Sequence, residues 1–198
     1  MRRWVVWVIL AIFALIVIGI VVAIVMLGLL RSDVGSNDIE LPPPSAGFIL
    51  TCSAFGDGEP IPVEYTCDGE DISPPLAWGE PPAGTRSFAL ILDDPDAPVG
   101  NWTHWIVYQI PLTARSFTPD LRPSSQIDGT VLLFGRNSWG KQTYGGPCPP
   151  SGTHHYFFRL YALGTVLDLP DNAKRSELEN AMEGHIIGYA ELMGTFQK

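Results

Sequence analysis

Cationic residues are scarce in this sequence, 12 Lys and Arg against 21 Asp and Glu, and charges of both signs occupy only 17% of its 198 positions. An acidic balance opposes the phosphate backbone of nucleic acid and an anionic lipid surface, so neither is expected as a partner. Cysteine is also sparse. Three cysteines cannot build the multiply bridged framework of a small secreted scaffold, and a chain of this length can bury a core without one. Missing too are the G-x-S-x-G elbow, the P-loop and H-E-x-x-H, which removes the strongest sequence grounds for a hydrolase. Length allows one domain of ordinary size rather than several.

Apolar residues, by contrast, are concentrated. Trp4 to Leu30 contains no charged residue and no Asn, Gln or Pro. At about 1.5 Å per residue this run makes a helix of roughly 40 Å, enough to cross a hydrocarbon core of about 30 Å with tilt. It exceeds the apolar run of a cleaved signal peptide, about 7 to 15 residues. A single transmembrane helix is therefore expected over 4–30. Arg2 and Arg3 precede the run, whereas Arg31, Asp33, Asp38 and Glu40 follow it. The positive-inside bias puts residues 1–3 in the cytoplasm and the C-terminal part outside, periplasmic or extracellular. Residues 31–46, polar and acidic with three consecutive prolines, read as an extended tether. Beyond Leu30 there are ten basic residues against all 21 acids, a net charge of −11.

Residues 47–198 are punctuated by Gly and Pro between short apolar runs, the pattern of an all-β sandwich or barrel with minor helix. Strands are predicted at Gly47–Cys52, Val63–Cys67, Arg86–Leu92, Thr103–Ile110, Thr130–Phe134 and His154–Leu163. Near the C-terminus Asp171 is expected to cap a helix over Asn172–Met182, with Gly184 ending it. A last strand over Ile186–Phe196 competes with a second helix.

Two segments hold chemistry. Ser87 to Ile110 runs from a buried strand into Asp93, Asp94 and Asp96, with Pro95 and Pro98 stiffening the loop. Period-two alternation then places His104, Ile106, Tyr108 and Ile110 on one face. In the second segment, a Gly-Gly-Pro-Cys-Pro-Pro loop leads into a strand with His154, Tyr156 and Phe158 on one face and His155, Phe157 and Arg159 on the other. Gly145 and Gly146 would let backbone N–H groups approach a ligand beside histidine donors, which suits an oxyanion. A histidine in such a strand is more often a core residue bonded to carbonyls, so neither carries a site alone.

Together these segments resemble the phosphatidylethanolamine-binding protein family, in particular its bacterial and archaeal branch, often labelled Raf kinase inhibitor-like. The resemblance lies in DPDAP at Asp94–Pro98, W-x-H at Trp102–His104 and GPCPPSGTHHY at Gly146–Tyr156. It extends through Phe55–Trp78 and Ala181–Phe196 and covers about Phe48 to Phe196. It implies a two-sheet antiparallel β-sandwich with a C-terminal helix and an anion pocket at one end. Carried over by position, the pocket would contain Asp94, His104, Gly146, Pro150, His154 and Tyr156, with Trp102 and Pro98 in its wall. His155 stands where the family word has Arg, which puts in doubt the ion pair that Arg would make with a loop acid.

The resemblance implies a non-catalytic binding module for a small anionic or phosphate-bearing ligand, with no metal and no cofactor. A protein-level inhibitor or regulator of a protease or kinase is the alternative, with a protein partner. A metal-assisted phosphoester hydrolase stands third, because Asp94, Asp96, His104 and His154 could hold a metal only if the fold joined them. The family's similar placement of Cys67 and Cys148 favours a disulfide between these two; Cys52 to Cys67 and three reduced thiols are the other readings.

Overall fold

Ser87 to Asp94 form a strand in which all eight residues are buried. A strand that reads as a continuous apolar run rather than an alternating one is covered on both faces. The computed structural model, which describes residues 41–43 and 47–198, shows what covers them. The predicted span at 4–30 and most of the tether at 31–46 lie outside the described residues. Among those described, no helix is long and apolar enough to cross a membrane.

The strands in chain order are β1 (Leu50–Cys52), β2 (Leu76–Trp78), β3 (Ser87–Asp94), β4 (Trp102–Pro111), β5 (Ser116–Phe117), β6 (Gln126–Ile127), β7 (Thr130–Val131), β8 (Leu133–Phe134), β9 (Thr153–Leu163) and β10 (Ile186–Gln197). They form a five-stranded antiparallel sheet ordered β10-β9-β3-β4-β8, a three-stranded sheet β1-β2-β5 and the hairpin β6-β7. The described domain is mostly β with one α-helix, α1 (Arg175–Met182).

The core lies between the two larger sheets. Phe88, Leu90 and Leu92 of β3, Trp105, Val107 and Ile110 of β4, and Tyr156, Phe158 and Leu160 of β9 meet Leu50, Leu76, Trp78 and Phe117 from the smaller sheet. On the opposite face of the large sheet, Ala89, Ile91, Ile106, Tyr108 and Tyr161 are also buried, as are Leu178 and Met182 of α1. The Tyr108 hydroxyl donates to Pro170 O and accepts from Ala173 N–H (3.2 Å), which ties the approach to α1 onto β4.

Several sequence expectations need correction. Val63–Tyr65 is a 3-10 turn, not a strand: Tyr65 N–H donates to Pro62 O and Thr66 N–H to Val63 O, so the backbone closes on itself. The helix starts at Arg175, and Asp171 does not cap it; Asp171 Oδ1 accepts from Phe134 N–H instead (3.2 Å). Glu177 accepts from Lys174 N–H at the true N-terminus (2.7 Å). Gly184, at φ +72°, follows the helix, and β10 continues from Ile186.

The single face expected for His104, Ile106, Tyr108 and Ile110 is also broken. Leu92 pairs with Trp105 but Asp93 pairs with Thr103, leaving His104 as an extra residue; a second irregularity falls between Phe88 and Leu90, beside Gln109 at φ +56°. A bulge re-aims the side chains that flank it. Ile106 and Tyr108 thus face α1's side, while Trp105, Val107 and Ile110 face the core.

Candidate functional site

The bulge at the start of β4 brings His104 to the core side next to Trp105. Its ring stands edge-on to Tyr156 of β9 (5.2 Å between centroids) and to Trp139 (4.9 Å). The His104 Nδ1–H donates to Gly145 O (2.7 Å). At the end of β3, Asp94 Oδ2 accepts from His154 Nδ1 (2.7 Å), and its Oδ1 accepts from Asp96 N–H (2.9 Å). Asp94, His104, His154 and Tyr156 are all buried. The structure therefore gathers these four predicted residues at one end of the large sheet. The Tyr156 hydroxyl is buried there without a hydrogen-bond partner.

Trp102 is half-buried against Trp139, ring to ring at 5.4 Å. Pro98 and Pro150 are exposed on the loops leading into β4 and β9. Trp139 was not singled out from the sequence. It sits on a turn organised by buried Asn137, whose Oδ1 accepts from Trp139 N–H (3.1 Å) and Lys141 N–H (2.9 Å). The word Asn-Ser-Trp-Gly is a turn signal, but nothing in it says which strand the tryptophan leans on.

The role expected of the glycine amides changes. Gly146 N–H donates to Asp71 Oδ1 (2.6 Å) and Gly145 N–H to His104 O (3.2 Å), so both are already engaged within the protein. Gly146 is instead a packing requirement. A Cβ there would lie 2.5 Å from Tyr65 O and 2.8 Å from Asp71 Oδ1. The same loop is fastened by Tyr144 Oη donating to Tyr65 O (2.7 Å), by Cys67 N–H donating to Pro147 O (3.1 Å) and by a disulfide between Cys67 and Cys148. Cys52 is free and half-buried.

His155 points away from this cluster, as alternation requires. Its Nδ1 and its backbone N–H both bond Asp96 Oδ2, at 2.7 and 2.9 Å, so the histidine takes up the loop acid that was in doubt. That bonding holds the Asp96 carboxyl below its usual range.

Residues 51–197 match the family model described as phosphatidylethanolamine-binding protein. The chain belongs to this family. A UPF0098 protein of Methanothermobacter thermautotrophicus is 49% identical over 150 residues, 75% of this chain and 98% of the relative. A UPF0098 protein of Chlamydia pneumoniae is 46% identical over 154 residues, again 75% and 98%. Among solved structures, a phosphatidylethanolamine-binding protein homologue from Chlamydia trachomatis superposes with a TM-score of 0.71 at 40% identity, covering 78% of this chain and 99% of that one. Escherichia coli YbcL, a new member of the mammalian PEBP family, gives 0.71 at 32% identity, with 77% and 99% covered.

In this phosphatidylethanolamine-binding protein fold, burial holds the His104 imidazole below its ordinary value, against the opposing pull of the Gly145 carbonyl. The ring is thus neutral near pH 7, with its proton on Nδ1 and a lone pair on Nε2. Burial, with Asp94 nearby, pushes the Tyr156 phenol up and keeps it a protonated donor. Among the described residues no group of three or more His, Cys, Asp or Glu side chains is arranged to hold a metal ion.

Proposed function

We propose that the chain is a non-catalytic binding module that holds a small anion of the phosphate or phosphoethanolamine type. One observation supports this most. His104 and His154 are each anchored through Nδ1, so each has only Nε2 left, and the unpartnered Tyr156 hydroxyl lies in the same cluster. His154, held through Nδ1 on the Asp94 carboxylate, keeps Nε2 as the ring atom it can offer to a ligand. Neutral His104 can accept from the hydroxyl of a monoprotonated phosphate, or gain a proton as the anion binds. The domain's negative charge opposes the encounter, so recognition falls to this local set of donors.

The non-catalytic part of the reading rests on the nucleophile: among the described residues neither ring is hydrogen-bonded to a serine or a thiol. We place the domain outside the membrane on a span at 4–30. A protein partner is a second reading, favoured by Val99 at 76% exposure and Trp139 at 45% on loops at the same end of the sheet.

Calorimetry with phosphoethanolamine at pH 6 and pH 8 tests the ligand class, the expected result being tighter binding at pH 6. Unchanged affinity in His104→Ala and His154→Ala would sink it, and turnover of a phosphoester panel would replace it with an enzyme. Release of the full chain from membranes by high salt alone would remove the anchor.

A further inference from the structure

Behind the pocket, on the opposite face of the same strands, lies an ionic cluster. Asp93 is fully buried there, and its carboxylate receives Thr103 Oγ1 (3.0 Å), Arg159 Nη1 (3.1 Å) and Arg175 Nη1. Arg175 comes from the first turn of α1. Its Nη1 also donates to Thr103 Oγ1 (3.1 Å), and its Nε to Glu179 (2.6 Å). With its amide oxygen turned toward the guanidinium, Asn101 accepts from Nη1 (2.8 Å) and Nη2 (3.2 Å).

Three of the four residues that Arg175 gathers are each the chain neighbour of a pocket residue. Asp93 precedes Asp94, Thr103 precedes His104, and Asn101 precedes Trp102. The Asp93–Thr103 pair is also the first one beyond the irregularity that leaves His104 unpaired. A bulge is a register choice, and sliding by one residue would return His104 to the opposite face. Buried charge is a poor source of stability, because an apolar set of similar shape is often as stable or more so. Its best-attested use is to fix one arrangement over another. Burial pushes the Asp93 carboxyl up, as expected where desolvation outweighs the pull of its arginines.

We propose that Arg175 is a positioning residue for the pocket: by holding Asn101, Thr103 and Asp93 behind the sheet, it fixes the bulge that turns His104 inward. The ligand readout of this assignment rests on the anion reading above; the second readout does not. That readout is the His104 tautomer, a single Nδ1–H form in the native arrangement.

The test uses the detergent-solubilised full chain, with nitrogen-15 NMR of the histidines and phosphoethanolamine calorimetry. Arg175→Met is expected to mix the His104 tautomers and weaken binding about tenfold, a size typical of lost supporting contacts. Arg175→Lys keeps the charge but not the fork, and about a threefold loss is expected. The double variant Asp93→Leu with Arg175→Met is expected to regain thermal stability without regaining the single tautomer. If the double variant keeps both the wild-type tautomer and the wild-type affinity, the cluster is structural only and the proposal is overturned. Should Arg175→Met not fold, the double variant and Arg175→Lys decide in the same way. If the wild-type chain itself ignores phosphoethanolamine, the anion reading falls, while the His104 signal still decides the role of Arg175.

Discussion

His154 and Asp94 meet at 2.7 Å, Nδ1 to Oδ2, with their side chains only 8% and 5% exposed. One Asp-Pro-Asp word and one His-His word thereby make two pairs of opposite character, since Asp96 and His155 form the same contact with 41% and 46% of their side chains exposed. Only the buried pair lies in the cluster with His104 and Tyr156. Asp94→Ala is expected to free the His154 ring and weaken phosphoethanolamine binding about tenfold. Asp96→Asn is expected to leave affinity unchanged and to cost less than about 1 kcal/mol of stability, because the exposed pair is screened by solvent. Calorimetry and thermal unfolding of both variants check this. Equal losses of affinity would mean that the exposed pair takes part in binding.

The lowered pKa of His104 makes stability depend on pH in a definite direction. The unfolded chain takes up the proton first, near the ordinary value of 6.5, while the native state resists it. The stability this contributes is full above about pH 6.5 and is lost as the pH falls through the native value. Melting curves between pH 7.5 and pH 5 in buffer free of phosphate should therefore slope more steeply for the wild type than for His104→Asn. Parallel slopes would show that His104 is not the group responsible.

Reduction of the Cys67–Cys148 bridge tests how firmly the loop before β9 is held. The bridge spans 81 residues, for which chain entropy gives an upper estimate of about 4.5 kcal/mol. For a domain of this size that corresponds to a fall in Tm of about 10 °C. Thermal unfolding of Cys148→Ser beside the wild type, with and without reductant, should show the fall, and only the wild type should respond to reductant.

Gly146→Ala is expected to cost more than about 2 kcal/mol, because its methyl would press on backbone atoms, Tyr65 O at 2.5 Å and Thr66 Cα at 2.8 Å, which yield less readily than a side chain. Gly152 is the control. Space around it is open and only its φ of +77° opposes a side chain, so Gly152→Ala should cost about 1 kcal/mol. Denaturant titration of the two variants gives the order, and the reverse order would count against the packing account.

Long apolar words were legible in the sequence: β3, β4 and β9 fall within two residues of where periodicity and punctuation put them, whereas the strand β10 stands where the pattern allowed a second helix nearly as well. The family words located Asp94, His104, His154 and Tyr156 but not what each one does. Alternation failed at β4, because pattern counting has no means of seeing an extra residue beside Asp93, whose partner Arg175 is 82 positions further along the chain. Gly146 looked like an amide donor because glycine permits close approach; Asp71, across a gap of 75 residues, uses that approach first. Trp139 escaped because its contacts with Trp102 and His104 are tertiary. The short strands β2 and β5 carry too few residues for a period to show.

The strand order sets a schedule for synthesis. β3 pairs with β4 on one side as soon as both have emerged, but its other neighbour, β9, comes later in the chain. Until then an unpaired edge stands open on a strand whose eight residues are all buried in the finished fold, the kind of edge that recruits other chains. Closure of this sheet thus waits for β9, and a ribosome stalled before Thr153 would display an adhesive intermediate.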